Sequence, residues 1–327
     1  MPDSFPPERP GLLRRLWGGG PEKTKTFRLS VNAYGKLPIY KDFISSGLTE
    51  PAAREFRAWL DKGFSHRWAT DDGCRESEIP PYNFLVRLPD SRGCAAGSLW
   101  GSSDEGGLRK FPFALFLSFP GAHGAADPIA AVEYLGDLER RASELRFLFG
   151  PGASLSSFYQ AYRGAELDVP VRSREQVARE FRSELAGFSI GDFAESILGS
   201  RAPRAWPQLL AATAAASERG GALRLPLGGR LPRAREVEFW LLWLERQDAK
   251  RRRPVTGVFY PHGHNPGRAV FFFRDVVPDD FLLFHPTRTD LPQIYEALAH
   301  VPATTEAPVP PPRRSEGARP AGAESVP

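Results

Sequence analysis

Cysteine is almost missing from this chain of 327 residues: Cys74 and Cys94 are the two present, and they form no Cys-x-x-Cys pair. That excludes a disulfide framework, a zinc ribbon and a thioredoxin-like redox site, and it suits a reducing compartment. Methionine occurs once, at position 1, which excludes a Met-rich adaptable binding surface. Lysine is sparse, so arginine supplies most of the 43 basic residues; against 39 acidic ones they leave a net charge of +4. So small an excess does not by itself point to nucleic acid. No apolar run approaches the roughly 18 residues of a membrane-spanning helix. The best stretch, Ala269 to Phe284, is broken by Arg274, Asp275, Pro278, Asp279 and Asp280. The opening residues, Met1 to Glu8, lack the basic-then-apolar pattern of a secretory leader. The expectation is a soluble, cytoplasmic protein without a membrane span.

Nucleotide and hydrolase signatures are missing as well. There is no Gly-x-x-x-x-Gly-Lys-Ser/Thr loop, no Gly-x-Gly-x-x-Gly after a strand, and no Gly-x-Ser-x-Gly elbow. Gly106 and Gly107 lead into a strand, so no helix N-terminus would face a phosphate there.

Apolar residues are plentiful. Hydrophobic types make up 41% of the chain, with 23 Phe and 7 Trp, enough for an extensive core. Proline, at 32 residues, is about twice as frequent as usual and concentrates at the ends. Residues 1–24 and 301–327 read as disordered tails that cannot offset the entropy of ordering. The first holds one apolar patch, Leu12-Leu13-Arg14-Arg15-Leu16-Trp17.

Between the tails the periodicity is legible. Phe27, Leu29 and Val31 alternate as a strand; Thr49 and Pro51 open a helix with Phe56, Trp59, Leu60 and Phe64 on one face. Tyr82 to Leu88, Gly97 to Trp100 and Phe111 to Phe119 read as strands, the last apolar on both faces and therefore inside a sheet. From Pro128 the pattern turns helical, with Ile129, Val132, Leu135, Leu138 and Leu145 on one stripe, and further helices follow to about residue 250. Strands return at Val255–Tyr260, Ala269–Phe273 and Phe281–Phe284, and Pro292–His300 reads as a closing helix. Strands separated by a helical block predict an α+β fold: a mostly antiparallel central sheet flanked by helices, with the block inserted between N- and C-terminal strands. The corresponding regions are 25–125, an N-terminal α+β part, and 126–300, the helical block with the strands that complete the fold.

Four groups of residues are candidates for chemistry. His262, His264 and His285 are a possible metal set for a hydrolase, although His262-Gly263-His264 in a Pro/Gly-rich stretch reads first as a turn. Asp279-Asp280 and Asp71-Asp72 are adjacent carboxylates that suit caps and turns better than acid–base pairs. Lys250-Arg251-Arg252-Arg253 follows a helix end, where cations complement the macrodipole. The fourth group is two segments at strand ends: Tyr34-Gly35-Lys36-Leu37-Pro38-Ile39-Tyr40-Lys41-Asp42-Phe43, and Ser102-Ser103-Asp104 followed by Arg109-Lys110-Phe111-Pro112. Lys36, Asp42, Asp104 and Arg109 are expected to form one polar network at the end of the sheet, since charges near a core persist only when paired. Tyr34, Pro38, Tyr40 and Lys41 form the candidate partner surface, because a shaped loop on a rigid sheet commonly carries binding residues.

These two segments resemble the TagF family, also called ImpM, accessory proteins of bacterial type VI secretion. An aromatic-Gly-Lys-Leu-Pro turn and an Asp-Phe match at Tyr34–Pro38 and Asp42-Phe43, although Lys41 stands where the family has glycine. A helical Trp-Leu matches at Trp59-Leu60, and the Ser-x-Asp, Arg and Phe-Pro elements match at Ser102–Asp104 and Arg109–Phe113. The resemblance implies a cytoplasmic regulator that represses type VI secretion after translation by stoichiometric binding, with the system's forkhead-associated scaffold protein as partner. It implies neither an enzyme nor a cofactor nor a nucleic-acid partner. A metal-dependent hydrolase on His262, His264 and His285, and a structural component of the apparatus, remain the alternatives.

Overall fold

The computed structural model describes residues 26–69, 78–119, 128–150, 152–170, 174–184, 190–199, 202–228, 231–248, 253–263, 267–284 and 294–296. Both expected tails, including Leu12–Trp17, and Cys74 lie outside them.

The strands are β1 (Thr26–Gly35), β2 (Ile44–Ser46), β3 (Tyr82–Leu88), β4 (Gly93–Trp100), β5 (Phe113–Phe119), β6 (Glu166–Pro170), β7 (Ala222–Leu227), β8 (Gly257–Pro261), β9 (Gly267–Phe272) and β10 (Ile294–Glu296). The helices are α1 (Pro51–Gly63), α2 (Pro128–Leu148), α3 (Leu155–Tyr162), α4 (Arg174–Glu184), α5 (Ile190–Leu198), α6 (Ala202–Arg219) and α7 (Arg233–Asp248). One sheet runs β10-β7-β9-β8-β3-β4-β5-β1-β2, with β6 paired to the first half of β1. Every pairing is antiparallel except β10 with β7. The α+β class with a mostly antiparallel sheet is therefore as expected from the pattern. Strand β8 pairs with β3, so the C-terminal strands extend the N-terminal sheet.

Alternation sorts side chains between two cores. On one face Tyr34, Phe84, Val86, Leu99, Phe116, Phe259 and Phe272 meet α1 and its buried Ala52, Phe56, Trp59 and Leu60. On the other, Val31, Ala33, Leu85, Phe113, Leu115, Leu117 and Phe271 meet α2 and the later helices. Strand β5 is buried at every position, as a strand between β4 and β1 must be. The α2 stripe is as predicted at Val132, Leu135, Leu138 and Leu145, all fully buried.

Four local expectations are corrected. Phe281–Phe284 is not a strand but the end of a 3-10 turn, Pro278–Phe284, because Asp280 binds both Arg274 and the Val277 amide. Ile294–Glu296 is a strand beside β7, not part of a helix; the remainder of that stretch lies outside the described residues. The block from 126 onward contains β6 and β7, whose short apolar alternations, Leu167/Val169 and Leu223/Leu225/Leu227, are recruited by partners distant in sequence. The N-cap of α1 is Glu50 without a side-chain bond, and the Thr49 hydroxyl turns to the Gly47 carbonyl.

Candidate functional site

The two segments singled out in the sequence meet at one corner of the sheet. Residues Val31–Gly35 pair with Phe113–Leu117, so the exit of β1 and the entry of β5 are neighbours. At Gly35 φ is +134°, and a Cβ there would overlap the Pro112 carbonyl oxygen. A glycine is thus required where the backbones of the two segments touch. Beyond it, Leu37 and Ile39 bury themselves in the helix-covered core. The main chain ties the segments again, with the Glu105 amide donating to the Tyr40 carbonyl at 3.1 Å.

Asp104 organises the second segment. Its Oδ1 accepts from the amides of Leu108 and Arg109 at 3.1 and 3.2 Å, and its Oδ2 from Arg109 Nε at 2.6 Å. The carboxyl is held below the usual range, first by the Arg109 side chain and then by the Arg109 amide. The other end of the Arg109 guanidinium donates to the Lys41 carbonyl, so this arginine clamps the two segments together.

The expected four-residue network is therefore partial. Asp104 and Arg109 pair, and Arg109 reaches the Lys41 backbone rather than the Asp42 carboxylate. Asp42 is exposed and its Oδ1 accepts from the Phe43 amide at 2.8 Å. Water solvates such a carboxylate adequately, so no cationic partner is required. Lys36 is buried, 3% exposed, and its Nζ has no hydrogen-bond partner; it lies 4.6 Å from the centroid of the Phe43 ring.

The candidate partner surface also divides. Tyr34 is not at the surface: alternation along β1 turns its ring onto the α1 face, where it contacts Phe43 and Phe111. Its hydroxyl donates to Asp61 Oδ1 at 2.6 Å, and burial, reinforced by that carboxylate, pushes its ionisation up. Pro38 and Tyr40 are half-buried, and Lys41 is exposed. Leu108, which sequence reasoning passed over, is 89% exposed at the tip of the Gly106-Gly107 turn. A bulky apolar residue after two glycines was the available signal. Beside it, Pro38, Phe64, Trp68, Ile79, Leu108 and Phe111 help line a cavity of about 850 Å³.

A second polar cluster lies under the other face of the sheet. Glu139 of α2 accepts from Asn83 Nδ2 at 2.7 Å and from the Gly263 amide at 3.2 Å, while Asn83 Oδ1 accepts from Ser98 at 2.6 Å. Tyr260 is buried beside them, its ionisation pushed up by burial and by Glu139. Arg233 donates to the Gly263 carbonyl at 3.1 Å and pairs with Glu236 at 3.2 Å. Glu139 falls four residues after Leu135 and three before Ala142, on the apolar stripe itself, and that misplaced carboxylate was the readable sign.

His262 packs against this cluster. Its Nε2 is buried without a partner, and its pKa is lowered to about 4, chiefly by burial, with Arg146 lowering it further and Glu139 opposing. His264 and His285 lie outside the described residues. Among the described residues no group of three His, Cys, Asp or Glu could hold a metal. No helix among them is long and apolar enough to cross a membrane.

Residues 32–148 match the family model of the TagF N-terminal domain, described as type VI secretion system-associated. Among solved structures, one match is PA0076 from Pseudomonas aeruginosa PAO1, at 24% identity and a TM-score of 0.35. The match covers 44% of this chain and 64% of that one. No curated protein matches the chain.

Proposed function

We propose that this chain, whose residues 32–148 match the family model of the TagF N-terminal domain, described as type VI secretion system-associated, represses type VI secretion after translation by stoichiometric protein binding. The observation that carries the reading is the coincidence of the matched domain with the clamped corner: Gly35, Asp104 and Arg109 spend their bonding on holding a loop pair rigid. Such a corner presents Lys41, Phe43 and Leu108 outward in fixed relation. Rigid presentation lowers the ordering cost of association, which is what a binding module needs. The partner in this reading is the forkhead-associated scaffold of the secretion system, the compartment is the cytoplasm, and no catalysis is involved. A binder that withdraws an assembly component lowers assembly in proportion to the fraction bound.

The test is dosage. Overproduction in the native cell is expected to lower type VI secretion, and deletion to raise it without changing component levels. Unchanged secretion, with the overproduced protein shown to be folded, would sink the repressor reading.

A further inference from the structure

Lys36 is the least satisfied charge described at the corner. Its ammonium is buried, finds no hydrogen-bond acceptor, and faces the ring of Phe43 at 4.6 Å. A ring quadrupole attracts a cation but replaces only part of lost hydration. Natural interiors seldom leave an ammonium so, because a Met of similar length would pack without the penalty. Phe43 itself is 39% exposed, so the ammonium lies one side chain below the surface.

The surroundings define what would reach it. Phe43 is the ring over the ammonium, and the highly exposed Leu108 sits on the turn that bonds to Tyr40 and Lys41. Lys41 and Lys110 are exposed cations, and Arg109 is already engaged by Asp104. Besides Asp104, the carboxylates of the two segments are Asp42, turned to the Phe43 amide, and Glu105, both exposed. Neither hydrogen-bonds the Lys36 ammonium, so the buried charge is left for an incoming acceptor.

We propose that Lys36 is an anion anchor for a protein partner: an acidic segment docks on the paired turns of the corner, its apolar side chains cover Phe43 and Leu108, and one aspartate or glutamate carboxylate pairs with the Lys36 ammonium past the edge of the Phe43 ring. This rests on the binding-module reading above and names the chemistry of its partner. Nζ gains the acceptor it lacks, and the pair forms in a desolvated site where charge-assisted hydrogen bonds are strong.

The probe is a fluorescein-labelled heptapeptide alternating glutamate and leucine, titrated against the full chain and followed by anisotropy. A glutamine–leucine peptide is the control. Expected are saturable binding of the glutamate peptide, at least tenfold weaker binding by Lys36→Met, affinity within threefold of wild type for Lys36→Arg, and little affinity for the glutamine peptide. Lys41→Gln should weaken binding only about twofold, as an exposed charge does. Thermal melting of Lys36→Met should equal or exceed that of wild type; if that variant does not fold, Lys36→Gln takes its place in the titration. Equal binding by wild type and the neutral variants, equal binding of the two peptides, or no binding of the glutamate peptide would each overturn the proposal. Secretion is a separate readout: a Lys36-dependent affinity can stand where dosage fails to repress, and repression can stand where the peptide does not bind.

Discussion

The two faces of the sheet are held by different physics. The face under α1 is a stack of rings: Phe56 lies 4.5 Å from Phe84 and 4.7 Å from Phe116, and Trp59 lies 5.8 Å from Phe259 and 5.5 Å from Phe281. The polar bonds there are few: Trp59 Nε1 donates to the Val277 carbonyl, the Tyr34 hydroxyl to Asp61, and Asn32 Nδ2 to Ser118 Oγ. The face under α2 and α7 also buries aliphatic and aromatic side chains, but it encloses Asn83, Glu139, Tyr260, His262 and the pair Arg233–Glu236. Area burial is tolerant of detail, whereas a buried polar network is favourable only when each member has its partner. The first face should therefore answer to volume, and the second to protonation.

The largest expected effect breaks the aromatic face. Phe56→Ala removes a fully buried ring with three aromatic neighbours and should cost about 4 kcal/mol in denaturant unfolding. The loss should be the same at pH 5 and pH 7, since these contacts do not titrate.

A smaller effect sharpens the contrast on the other face. His262 has its pKa lowered from 6.5 to about 4, so the unfolded chain binds the proton more readily between those values. Stability is then fully present above pH 6.5 and is lost as pH falls toward 4, by on the order of 2–3 kcal/mol from this group. His262→Gln should flatten that part of the pH–stability curve. An unchanged slope in the variant would show that carboxylates account for it.

The smallest effect is the control. Glu144 pairs with Arg140 across one turn on the exposed side of α2, at 2.6 Å. Glu144→Ala should cost about 0.4 kcal/mol, with the loss shrinking at high salt. A cost beyond about 1 kcal/mol would mean that the solvent side of α2 also carries structure.

The corner shows where sequence reasoning ran out. Gly35, Asp104 and Arg109 were legible because a turn glycine and a charge pair at strand ends are local features. The fates of Lys36 and Asp42 were not, since strand-end position does not say which charge faces water. Tyr34 was misplaced for a related reason: the loop it opens is at the surface, while the period of the strand before it sends that ring inward. The site's exposed apolar tip, Leu108, depends on a turn geometry that two glycines permit but do not dictate.

By itself the sequence determined the elements whose apolar period is long: α1, the α2 stripe, β3 and β5, and with them the mixed class of the fold. Periodicity suffices there because burial of a face is an average over many residues. Only the tertiary structure decided the short elements and the polar assignments. Three-residue β10, five-residue β6 and the 3-10 turn at Pro278–Phe284 lack enough local signal to choose a state, and each takes the one its partner offers: β7, β1 and Arg274. The buried charges follow the same rule, because the energy of a charge is set by what stands a few ångströms away, and that neighbour lies far off along the chain.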